Sequence, residues 1–132
     1  MKLITRDTDY ALRALCFIAK CKEKRVSVVQ LVKELKIPKP FLRKILQILN
    51  KKDILKSYKG QCGGFSLARP ANKVLLLDLI EVFQGPLKLN ECIFKKMVCP
   101  NTKRCVLKKK IDNIERYVIS QLGSITIASL LR

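Results

Sequence analysis

Cys92, Cys99 and Cys105 follow one another with six and then five residues between them. That spacing is not the paired Cys-x-x-Cys of a zinc ribbon. It suits a loop that wraps three thiolates around one inorganic centre, and soft thiolates favour iron–sulfur clusters, zinc or copper(I). Lys95, Lys96, Lys103, Arg104 and Lys108 crowd the same stretch, and neighbouring positive charge favours the thiolate, which is the ligating form. Without a metal, the trio reads as a thiol redox switch. Of the other cysteines, Cys16 lies in an apolar run and reads as a small buried hydrophobe, while Cys21 and Cys62 have no assigned role. The chain has no histidine, so it lacks the commonest general base and the Cys/His nucleophilic pair. No phosphate loop or paired-carboxylate constellation replaces them, and no enzyme and no small-molecule substrate are expected.

Charge points to the partner. Lys and Arg number 28 against 10 Asp and Glu in 132 residues, a net charge of +18. Up to Pro70 the count is 17 basic against 5 acidic residues, net +12; beyond it the count is 11 against 5, net +6. Such an excess favours a polyanion, nucleic acid first and an anionic membrane second, with a merely solvated basic surface as the alternative. At 48% hydrophobic residues the chain can fill a core, so it is no disordered basic tail. The longest uncharged stretch, Tyr117 to Leu131, is broken by polar residues and too short for a bilayer span. Arg6, Asp7, Asp9 and Arg13 interrupt any signal-peptide core. A cytoplasmic location and no membrane are expected, with the cysteines as thiols or ligands, not disulfides.

Positioning a reading head on DNA requires helices, and their signals are present. Tyr10, Ala11, Leu12, Ala14, Leu15, Ile18 and Ala19 form a wide apolar stripe on a helix that Thr8 could cap, with Asp9 favoured in its first turn by the dipole. Ser27-Val28-Val29-Gln30 has the form of a capping box and opens a short helix that ends near Lys36. Ile37-Pro38-Lys39-Pro40 forms a tight connection, since each proline fixes φ and restrains its predecessor. A third helix begins there and runs through Asn50, with Leu42, Ile45, Leu46 and Leu49 on one face and Lys39, Arg43, Lys44 and Gln47 off it. A short helix, a tight turn and a longer helix with a basic outer face make a helix-turn-helix.

Two short strands follow, Ile54–Tyr58 and Phe65–Ala68. Between them Lys59-Gly60-Gln61-Cys62-Gly63-Gly64 permits positive φ and close approach to a phosphate backbone. No Gly-Lys-Ser/Thr ending and no following helix support a nucleotide site there; a wing beside the recognition helix is the expectation. Val74 to Phe83 reads as a helix ended by Gly85-Pro86. Candidate DNA contacts are Ser27, Lys39, Pro40, Phe41, Arg43, Lys44, Lys59, Gly60 and Gly63.

Leu107, Ile111, Ile114, Val118 and Leu122 alternate steps of four and three, a narrow heptad-like seam that favours pairing with a twin helix over packing on the chain's own core. The expected fold is mainly α with a small β-hairpin: a winged helix-turn-helix over residues 1–85, a cysteine-bearing loop over 86–106, and a dimerisation helix with a C-terminal segment over 107–132. A two-fold dimer sets two recognition helices about 34 Å apart on a near-palindromic double-stranded DNA operator.

These residues also carry a resemblance. Thr8-Asp9-Tyr10-Ala11-Leu12-Arg13 resembles the opening of the Rrf-two family of bacterial winged-helix regulators. Gly63-Gly64-Phe65-Ser66-Leu67-Ala68-Arg69 is similar to its Gly-Gly-aromatic-x-Leu-Ala-Arg wing, Val74 to Pro86 to its next segment, and Ile125 to Leu131 to its Thr-Leu-Ala-x-Leu ending. The resemblance spans almost the whole chain in order. It implies a homodimeric transcription regulator in which Cys92, Cys99 and Cys105 ligate an iron–sulfur cluster, either 2Fe–2S or 4Fe–4S. One branch of the family places a histidine after the third cysteine, which this chain lacks. Cys105-Val106-Leu107-Lys108 is closer to the nitric-oxide-sensing branch, where an Asp from the partner subunit completes the site; the matching position is Asp9. Lys59 departs from the family's usual wing Arg, and a Lys cannot enter a narrow minor groove as a planar fork. A cluster-free thiol-redox or zinc regulator of the same fold is the alternative, and a non-specific nucleic-acid binder is a further one.

Overall fold

The computed structural model describes residues 3–21, 25–61, 63–89 and 106–131. Helix α1 (Arg6–Lys20) is the hub: Ala11, Ala14 and Leu15 are fully buried and Ile18 nearly so. Two alanines on its inner stripe let neighbouring backbones approach, and the segments Lys39–Lys51, Gly64–Leu67, Leu76–Gln84 and Ile127–Leu130 all pack against it. The capping box holds in its backbone half. Ser27 caps α2 (Val28–Leu35), its hydroxyl accepting from the Gln30 N–H at 3.1 Å. Lys36 ends α2 in the left-handed region at φ 56°, its N–H reaching the Val32 carbonyl. That sharp exit, with Pro38 and then Pro40 in the first turn, starts α3 (Lys39–Lys51) at a new angle. Leu42, Ile45, Leu46 and Leu49 are its buried face, as their spacing requires. Each such leucine, fully buried, contributes on the order of 1.5–3 kcal/mol.

Strands β1 (Leu55–Tyr58) and β2 (Gly64–Leu67) pair antiparallel, Leu55 opposite Leu67 and Tyr58 opposite Gly64. Relative to the apolar runs, β1 starts one residue later and ends at the same Tyr58, while β2 is shifted one residue toward the N-terminus. Ile54 is taken up by the turn after α3, its N–H bonded to the Leu49 carbonyl, and Asp53 turns there at φ 60°. Gly64 joins β2 because Val26 bonds Phe65 in both directions and passes so close that a Cβ on Gly64 would sit 2.6 Å from the Val26 carbonyl oxygen. Arg69 closes the unit by donating to the carbonyls of Lys52 and Asp53 at the end of α3.

The third apolar segment is a helix only from Leu76. Val74 and Leu75 are extended and bridge the tail: the Leu76 N–H bonds Ile125, and the Ile127 N–H bonds Val74. A 3₁₀ turn (Ala71–Lys73) precedes them, and α4 (Leu76–Gln84) follows. The tail ends in α6 (Ile127–Leu130), held by reciprocal bonds between Thr126 and Ser129 and anchored by fully buried Ile127. Helix α5 (Val106–Leu122) buries only Leu122, in a small cluster with Leu76 and Ile80.

The cap expected from Thr8 lies elsewhere. The helix begins one turn earlier, with Thr5 as its N-cap, and Thr8 is fully buried. Its hydroxyl donates to Gln84 Oε1 at 2.6 Å, an oxygen that also receives the Thr5 N–H at 3.0 Å. Gln84 Nε2 in turn donates to the Leu3 carbonyl at 3.1 Å. One carboxamide at the end of α4 thus secures the start of α1. Replacing it leaves the Thr5 N–H unpaired and the buried Thr8 hydroxyl with only the Thr5 hydroxyl, 3.2 Å away, which costs about 1–3 kcal/mol. Gln84→Ala is expected to lower the urea midpoint accordingly, at unchanged slope; an unaltered midpoint would contradict this role.

Candidate nucleic-acid interface

Of the candidate contacts, Ser27 and Gly63 are half-buried and the others are exposed. Burying Leu42, Ile45, Leu46 and Leu49 turns the opposite face of α3 outward, so Lys39, Pro40, Phe41, Arg43, Lys44 and Gln47 are all exposed. Phe41 keeps 42% of its surface, a large exposed aromatic at the first turn. The Arg6 guanidinium lies 4.8 Å above its ring.

The wing begins directly beyond β1. Lys59 and Gly60 are exposed, and Gly60 turns the chain at φ 98°. Gly63 returns it, its N–H bonded to the Gly60 carbonyl at 3.0 Å. The base of the wing carries a second stacked pair: the Arg25 guanidinium sits 3.8 Å from the Tyr58 ring centre, and the Tyr58 hydroxyl accepts from Ser66 at 3.3 Å. Ser27, two residues on, has its side-chain oxygen committed to the α2 cap. Sequence reasoning missed Arg6 and Arg25. Phe41 and Tyr58, the rings they lie nearest, are far from them in sequence, so no local pattern signals either pair.

The α5 seam divides in two. Leu122 is buried and Val118 packs on the same cluster of this chain, whereas Leu107 and Ile114 are 66% and 52% exposed and Ile111 is intermediate. Val106 and Tyr117, outside the heptad pattern, are equally uncovered at 64% and 66%. Val106, Leu107, Ile114 and Tyr117 fall within an arc of about 100° on the helix. An uncovered apolar face of this kind marks an interaction site.

Cys92, Cys99, Cys105 and Cys62 lie outside the described residues. The described groups include no cluster of three His, Cys, Asp or Glu side chains. Asp9 sits in the first turn of α1, its Oδ2 held by Arg13 Nε at 3.0 Å. The cysteine-bearing stretch is rooted on α5 at both ends: Val106 begins that helix directly after Cys105, and the Leu89 N–H donates to Glu115 Oε1 at 3.0 Å. Three thiols between those roots are soft donors in the number a cluster or zinc uses, with one ligand still to come from elsewhere.

Comparison with known proteins follows the same lines. The Rrf2 family model, described as an iron-dependent transcriptional regulator, matches residues 4–132. A protein of Aquifex aeolicus (strain VF5) bearing the name HTH-type transcriptional regulator is 33% identical, covering 98% of this chain and 92% of its own. Among solved structures, CymR (YrzC), the global cysteine regulator of B. subtilis, superposes with a TM-score of 0.78 at 23% identity, covering 98% of this chain and 96% of that one. IscR of T. potens gives 0.75 at 24% identity, with 98% and 85% covered. At these identities the two structures show a shared fold. No described helix is long and apolar enough to cross a membrane.

The two described thiols stand apart from the reading surface, on α1 and at its end. Burial pushes the Cys16 thiol above its ordinary value near 9.0, against a smaller opposing effect of Lys20. Because the thiolate is the nucleophile, alkylation of Cys16 in the folded protein is expected to be slow at pH 8 and still rising beyond pH 9, followed by peptide mass mapping. A plateau below pH 8 would contradict the assignment.

Proposed function

The chain belongs to the Rrf2 family of transcriptional regulators, which are not enzymes, and from that premise we propose that it is a homodimeric DNA-binding regulator whose three cysteines carry an iron–sulfur cluster. The observation that carries the proposal is the exposed basic face of α3, with Lys39, Arg43 and Lys44 outward and β1, the strand that leads into the wing, packed against the same helix, in a chain whose α5 leaves an apolar arc open. The recognition helix presents Lys39, Pro40, Phe41, Arg43 and Lys44 to the major groove, and Lys59, Gly60 and Gly63 bring the wing to the adjoining backbone. Ser27 contributes through its place at the start of α2, where a helix N-terminus favours a phosphate.

Dimerisation uses the open arc of α5. Leu107, Ile111 and Ile114 meet the partner helix, joined by Val106 and Tyr117, while Val118 and Leu122 anchor the same helix to its own subunit. Pairing through that helix relates the two reading heads by a two-fold axis and suits a near-palindromic operator.

Cys92, Cys99 and Cys105 would hold the cluster, with Asp9 as the oxygen ligand. A bound cluster would supply an iron open to oxidation or to nitric oxide. The chain's own residues transmit the change: Cys105 abuts α5, and Glu115 holds the other root of the loop, so any rearrangement of the loop acts on the helix that spaces the two heads. Arg13 shares the Asp9 carboxylate, so a metal must compete with or accommodate that guanidinium.

Anaerobic purification, with an absorption spectrum and iron and sulfide assays, tests the cofactor. A brown protein with stoichiometric iron and sulfide, lost in Cys92→Ala, is expected. Asp9→Ala should leave the three thiol ligands but alter the spectrum and the rate of reaction with nitric oxide. A colourless protein holding zinc or no metal after reconstitution would instead make it a thiol or zinc regulator of the same fold.

A further inference from the structure

Burial of Leu42, Ile45, Leu46 and Leu49 fixes the direction in which the rest of α3 faces. At about 100° per residue, Pro40, Lys44 and Gln47 fall within about 30° of the direction opposite that buried face. Arg43 lies about 70° from it, and Phe41 and Lys39 stand on the flanks. Pro40, Arg43, Lys44 and Gln47 are all exposed, and they follow the i, i+3, i+4, i+7 spacing. That spacing keeps four side chains on one face over two turns, as in helices that read base edges along the major groove.

The chemistry of that face is uneven. The exposed side chains of α3 are Lys39, Pro40, Phe41, Arg43, Lys44, Gln47 and Lys51. Lysine and arginine only donate hydrogen bonds, and the proline and phenylalanine side chains neither donate nor accept. Gln47 alone among them does both. In the major groove an adenine presents its N7 acceptor beside the N6 amino donor, and a carboxamide meets the two at once. A guanine presents two acceptors there, which suit Arg43 or Lys44. The Gln47 carboxamide makes no hydrogen bond among the described residues, so it faces a base without giving up a partner inside the chain. As a neutral group it displaces no counterion from the DNA backbone, in contrast to Arg43 and Lys44.

We propose that Gln47 is a specificity-determining residue of the recognition helix, reading an adenine in each half of the operator through its N6 and N7 edge. The inference rests on the DNA-binding reading and names part of the sequence recognised. Arg43 and Lys44 supply the charge that holds the helix in the groove, and Gln47 supplies discrimination of an A·T pair from the others.

The test is selection of duplexes from a random pool by the full-length protein, repeated with Gln47→Ala and Gln47→Glu. Failure of the wild type to select any duplex would sink the DNA-binding reading itself, separately from this proposal. With a selected site in hand, one A·T position in each half-site should lose its preference in Gln47→Ala, while every other position keeps its own. Replacing that adenine by 7-deazaadenine, which lacks the N7 acceptor, should weaken wild-type binding several-fold and leave Gln47→Ala binding unchanged. Gln47→Glu should also lose adenine, because an ionised carboxylate has no donor for N7. Base preferences that all survive in Gln47→Ala, or an equal weakening of selected and unrelated duplexes, would overturn the proposal. So would adenine retained by Gln47→Glu. Far-ultraviolet circular dichroism and melting curves confirm that each variant is folded.

Discussion

Everything in this molecule leans on the close burial of α1. Ala11 and Ala14 offer almost no side chain, so α3, α4, α6 and β2 approach its axis closely and Leu15 and Ile18 fill the gaps between them. Interiors packed to that density respond to the loss or gain of a single methylene. The recognition helix is oriented by that contact, and the wing follows because β2 touches the same helix. A larger residue at either alanine would force the elements packed on α1, α3 and β2 among them, out of their present positions. Overpacking of this kind typically costs about 1–3 kcal/mol.

The same helix is a crossroads for charge and polarity. Within its first turn stand Arg6, seated on the recognition helix, Thr8, bonded to the end of α4, and Asp9, paired with Arg13. Gln84 joins this turn to the end of α4, just before Gly85-Pro86, where the chain departs toward the cysteines. The start of α1 and the end of α4, from which the chain runs on toward the cysteines, therefore meet at one short stretch of backbone. Coupling between them requires only that this stretch have two arrangements, which is the physical content of a switch.

The helix-turn-helix was legible in the sequence because its signals are local. The Ser27 cap, the prolines at 38 and 40 and the leucine spacing of α3 each dictate structure within one or two turns. The first strand was expected one residue too early at its start and the second was placed one residue off, since Val26 and the post-α3 turn decide which residues join the ladder, and neither is visible in an alternation pattern. Thr8 looked like a cap because hydroxyls favour helix starts. Its actual partner, Gln84, lies 76 residues away. Val74 and Leu75 are apolar enough for a helix, yet the tail recruits them as extended backbone. Of the seam on α5, Val118 and Leu122 pack on the chain's own cluster instead, because a heptad pattern reports apolar spacing and not which surface covers it. Arg6 and Arg25 were missed for the same reason as Gln84, because their rings come from distant parts of the chain.

The central claim is that two such heads read one duplex. Hydroxyl-radical footprinting of the wild-type protein on its selected duplex tests it most directly. The account predicts two protected segments related by a dyad, their centres about one helical turn or 34 Å apart, with backbone protection on both sides of each major-groove contact. A single protected segment, or uniform faint protection along the duplex, would contradict it.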